Sequence, residues 1–67
     1  MVTIDVDYIG DKKDAKHESE MFGIKIKLNK DYDQADVSGS KTNVLNWLMD
    51  VHHSGESEEE LIELYDI

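Results

Sequence analysis

The chain has 67 residues, with seven lysines, no arginine, no cysteine, sixteen carboxylates and a formal charge of −9. A chain this short forms one domain with a marginal core, and without cysteine it has neither a disulfide framework nor a thiolate zinc site. The acidic excess repels phosphate backbones and anionic lipid, and the longest apolar run, Trp47-Leu48-Met49, is too short to span a bilayer. Residues 1–5 lack the basic stretch and apolar block of a secretory leader. A cytoplasmic protein with neither membrane nor direct nucleic-acid partners is therefore expected.

The first element, over residues 1–9, reads as a strand. Val2, Ile4, Val6 and Tyr8 alternate with Thr3, Asp5 and Asp7, the period of a half-buried strand. Residues 10–20 contain one apolar side chain, Ala15, and with so little to bury they are expected to form a mobile loop. A second strand follows over 21–29, with Phe22, Ile24, Ile26 and Leu28 inward and Lys25 and Lys27 outward. Asp5 and Asp7 complement Lys25 and Lys27, and opposite charges favour cross-strand neighbours. The two strands are therefore expected to pair directly as an antiparallel hairpin.

Residues 30–41 read as a connection broken at Ser38-Gly39-Ser40, with room for a short third strand near Val37. From 42 to 54 the period becomes helical: Val44, Trp47, Leu48 and Val51 share one face. Ser40 or Thr42 is placed to cap its start. Leu45 and Met49 widen the apolar arc beyond what a small sheet covers. The last element, an acidic amphipathic helix over 57–66, opens with the capping box Ser57-Glu58-Glu59-Glu60. Its apolar arc is Leu61, Ile62, Leu64 and Tyr65. The fold class expected is α+β, a small antiparallel hairpin followed by two C-terminal helices on one face.

Catalysis finds no support. No serine sits in a nucleophile elbow, the four glycines are isolated, and a chain this small cannot wall a cleft that tunes paired carboxylates. No enzyme activity and no cofactor are expected. Metal binding fares no better. His52 and His53 point about 100° apart on a helix, and the stretch from Asp31 to Asp36 lacks the glycine, glutamate and third ligand of a calcium loop. No metal site is expected.

Charge placement points instead to a protein partner. The first thirty residues carry six acids and six lysines and sum to zero, whereas the remainder carries ten acids and one lysine. Glu56, Glu59, Glu60, Glu63 and Asp66 form an acidic stripe, which Asp31, Asp33 and Asp36 extend if the fold brings them close. Tyr65 and Met49 supply apolar anchors of the kind found at interfaces. The partner expected is a basic protein, such as a nucleic-acid-binding enzyme. In size, acidity and all-lysine basicity the chain resembles the small acidic inhibitors of phages and mobile elements, namely anti-restriction proteins, anti-CRISPR proteins and uracil-DNA glycosylase inhibitors. That resemblance implies a DNA-mimic-like inhibitor acting in a host cytoplasm, and it assigns no residue a role. Two other readings share the sequence: an antitoxin or immunity protein neutralising a basic toxin, and a homo-oligomer, such as a homodimer, built through Leu45 and Met49 or an open sheet edge.

Overall fold

The alternation in the first residues does form a strand, β1 (Val2–Asp7), with Ile4 and Val6 buried and Thr3, Asp5 and Asp7 exposed. The computed structural model describes residues 1–29, 33–52 and 55–67. Along the chain follow α1 (Lys12–Phe22), β2 (Lys25–Asn29), β3 (Gln34–Gly39), α2 (Lys41–Trp47), a π-helical turn (Leu48–His52) and α3 (Glu58–Tyr65). The result is an α+β fold with a three-stranded antiparallel sheet and C-terminal helices.

The strand order is β1-β3-β2, which overturns the direct pairing of β1 with β2. The strand near Val37 is the central one, antiparallel to both neighbours, so β1 and β2 run parallel to each other. Its register puts Asp36 between Asp5 and Lys27 on the open face. Asp5 and Lys27 therefore stand two strand spacings apart, about 10 Å. Asp36 complements Lys27 but stands opposite the like charge of Asp5, so charge complementarity between β1 and β2 did not identify neighbours.

The expected mobile loop is helix α1, and the same topology explains why. Parallel strands need a crossover connection, usually a helix. Locally, Asp11 and Asp14 form a capping box: Asp14 N–H donates to Asp11 Oδ1 at 3.0 Å and Asp11 N–H to Asp14 Oδ2 at 3.4 Å. Lysine, alanine and glutamate then favour the helix. Residues 21 and 22, expected in the second strand, are its last turn, and Phe22 packs half-buried against the core. Gly23 closes the helix at φ +66°, where its N–H donates to the Ser19 carbonyl. Gly23→Ala should cost about 1 kcal/mol, the strain of an L-residue in the left-handed region. The measurement is a lower urea midpoint at unchanged slope; an unmoved midpoint would contradict the assigned cap.

The core lies between the inner sheet face and the helices. Ile4, Val6, Ala35 and Val37 meet Val44, Leu45, Trp47, Leu48 and Leu61, with Ala15 of α1 at the side. Ser40 caps α2, its hydroxyl accepting from Asn43 N–H at 3.1 Å. The helix expected over 42–54 is regular only to Trp47. A π turn inserts one residue into the next repeat, so the residue over Trp47 is His52, with ring centroids 5.6 Å apart. Val51, expected on the buried face, is turned outward and is 45 % exposed. Ser57 caps α3 through Glu60 N–H at 3.3 Å. Leu61 is fully buried and Ile62 and Tyr65 half-buried, whereas Leu64, expected in the apolar arc, is 61 % exposed.

Candidate partner-binding surface

Helix α1 sorts its charges by spacing. Residues four apart share a helical face, so Asp14 and Glu18 lie on one flank of buried Ala15 and Lys12 and Lys16 on the other. The acidic flank faces α2 and the π turn across a cleft of about 440 Å³ lined by Asp7, Ile9, Asp14, Glu18, Val51 and His52, with Tyr8 and Trp47 behind them. The basic flank faces β2 across a separate groove. Tyr8, Ile9 and Gly10, which join β1 to α1, belong to both.

Glu18 organises the acidic cleft. Tyr8 donates its hydroxyl hydrogen to Oε2 at 2.7 Å, and the Trp47 indole N–H donates to Oε1 at 2.9 Å. Both donors are neutral, so they fix the carboxylate's position without adding a countercharge. Gly10 permits this geometry: a Cβ there would stand 2.8 Å from the Tyr8 ring and hydroxyl. On the opposite wall, His52 Nε2 lies 2.7 Å from the Asp7 carbonyl oxygen. A carbonyl only accepts, so Nε2 carries a hydrogen.

The tyrosines report the surrounding field. Burial, then the Glu18 hydrogen bond and the negative charges of Glu18, Asp14 and Asp11, hold the Tyr8 hydroxyl well above the ordinary tyrosine range. Burial also raises Tyr65, helped by Asp7 and Glu56. Five carboxylates from β1, the following turn, α1 and the segment before α3 thus act on one end of the molecule. A raised pKa in the folded state stabilises it below the unfolded value near 10 and loses that contribution as pH rises toward the folded value. The urea midpoint should therefore fall between pH 9 and pH 11, and a flat profile would contradict it. In Glu18→Gln, the Tyr8 tyrosinate absorbance should appear at lower pH, because the charge is gone while burial remains.

The acids expected from the sequence are only partly gathered. Glu56, Glu59, Glu60, Glu63 and Asp66 are all exposed, but Asp66 has φ +54° and caps α3, so the helical row ends at Glu63. Asp36 lies on the open sheet face beside Asp5, with the sheet between it and the helix layer. Asp33 lines the basic groove, its carbonyl accepting from Tyr8 N–H at 2.9 Å. Asp31 lies outside the described residues, as do Tyr32 and His53. Tyr65 and Met49 are half-buried against the core, so each has only one side to offer.

Sequence reasoning missed Asp7, Asp11, Asp14 and Glu18, because they belong to a stretch whose net charge is zero. It also missed Ile9, 92 % exposed between the two clefts. The signal for the acids was present: Asp11-x-x-Asp14 is a helix start, and a helix from residue 12 puts Asp14 and Glu18 on one flank and Lys12 and Lys16 on another. No protein-family model matches the chain, and no curated protein or solved structure matches it either.

Proposed function

We propose that this chain is a small acidic inhibitor or modulator that covers a basic, nucleic-acid-binding surface of a partner protein. The observation that carries this reading is an exposed apolar residue, Ile9, on a cleft that Asp7, Asp14 and Glu18 also line. Interfaces take most of their energy from a few apolar anchors inside a polar rim. Val51 adds a second anchor on the same cleft. The exposed row Glu59, Glu60 and Glu63 on α3 extends the negative field, which steers a basic partner and raises its association rate at low salt. Lysines and arginines spaced to meet phosphates would meet carboxylates instead.

The test is capture of a partner from lysate at low and high salt, followed by competition for that partner's nucleic acid measured by fluorescence anisotropy. The captured protein should be basic and its nucleic-acid complex should dissociate as this protein is added. Ile9→Lys should weaken binding at least about tenfold with little change in stability, since the side chain is already in water. Neutralising Glu59, Glu60 and Glu63 together should chiefly slow association. Recovery of no basic protein at low salt, or full binding by both variants, defeats the reading.

A further inference from the structure

We propose that the outer edge of β2, which no described strand pairs, binds an extended partner segment in which acidic and apolar residues alternate, adding it to the sheet as a fourth strand. Tyr8 N–H donates to the Asp33 carbonyl, and in an antiparallel pair hydrogen-bonded and non-bonded residues alternate. Ala35 and Val37 therefore bond to β1, and Gln34, Asp36 and Ser38 bond to β2 through Asn29, Lys27 and Lys25. The N–H and C=O groups of Ile26 and Leu28 point away from β3, along the sheet edge.

The side chains around that edge suit one chemistry. Above it, the groove of about 440 Å³ between α1 and β2 has Ile26, Leu28, Ala15, Tyr8 and Ile9 in its apolar lining, Lys12 and Lys16 along α1, and the acidic Asp33 at one end. Lys25 and Lys27 stand exposed on the other face of the same strand. A strand added here would send alternate residues to opposite faces: apolar ones into the groove against Ile26, Leu28 and the lysine stems, acidic ones beside Lys25 and Lys27. Main-chain bonds would supply affinity and the two faces specificity. The β1 edge does not offer the same site. Its outward charges are Asp5 and Asp7, and His52 occupies the Asp7 carbonyl. The edge lies on the opposite flank of α1 from the acidic cleft, although Tyr8, Ile9 and Gly10 line both.

The probe is a capped synthetic peptide of alternating valine and aspartate, about seven residues long to match a typical strand, added to the full chain. Hydrogen exchange read by NMR should slow at the Ile26 and Leu28 amides. Leu28→Pro removes an N–H that faces solvent, a change edge strands tolerate, and should weaken binding at least about tenfold. Should that variant fail to fold, Lys25→Glu with Lys27→Glu decides, with a similar loss expected and the edge backbone intact. Four results would overturn the proposal: equal binding of a valine–lysine peptide; equal binding of the same residues in blocks; binding without protection of the two amides, as an amphipathic anion such as dodecanoate in the groove would give; and protection that grows with protein concentration alone, which makes a second copy the occupant.

Discussion

Trp47→Ala should leave the chain largely unfolded at room temperature. Trp47 is fully buried and packs beside Tyr8, with ring centroids 6.3 Å apart, and on its other side meets His52. Removing a buried tryptophan costs about 3–5 kcal/mol, and a single core in a chain of this size supplies roughly 3–5 kcal/mol in total. The two terms are equal within their spread, so the folded population collapses. Loss of the indole N–H adds to this, because Glu18 then keeps one of its two protein donors. Trp47→Phe separates the contributions. It retains most of the ring and forfeits a hydrogen bond to a charged group, a loss of about 1.5–3 kcal/mol. Urea titrations followed by circular dichroism should rank wild type above Phe above Ala. A wild-type midpoint in Trp47→Ala would refute the core assignment.

Leu61→Ala should release α3 while the sheet survives longer. Leu61 is the single fully buried side chain of that helix, whose partly buried neighbours Ile62 and Tyr65 only skirt the core. An eight-residue helix is far below the length at which isolated helices hold in water, about 12–15 residues. The cost of the substitution, about 2–5 kcal/mol, falls first on the element with least else to hold it. Amides of residues 61–65 should lose protection in hydrogen exchange before those of β3 do. Partner binding through the Glu59, Glu60 and Glu63 row should weaken as well, since a frayed segment no longer holds the three carboxylates in a row. Uniform loss of protection across β3 and α3 would instead mean that α3 unfolds only with the whole molecule.

Legibility of the fold in the sequence followed the strength of periodicity. The alternation of residues 2–8, the apolar face from Val44 to Leu48 and the Ser57 N-cap each correspond to an observed element, although the reciprocal bond of the expected capping box is not among those observed. Helix α1 escaped because Ala15 is the one apolar residue in its first nine, and Phe22 at its end fits the alternation of the following strand instead. A helix clamped by Tyr8 and Trp47 onto Glu18 needs few buried side chains of its own. Val51 was misplaced for a related reason: a helical wheel assumes one pitch, and the π turn changes it to stack His52 on Trp47.

The candidate surface divides in the same way. Sequence alone determined that carboxylates outnumber lysines by nine, that the excess follows residue 30, and that one helix carries glutamates opposite leucine and tyrosine. Net charge by segment is a sum, and a sum discards direction. Only the tertiary structure decided that the neutral first thirty residues are split in space, with Asp7, Asp14 and Glu18 on one cleft and Lys12 and Lys16 on the groove over β2. The physical reason is that a helix assigns neighbours in sequence to different faces, and the crossover between two parallel strands fixes what each face meets.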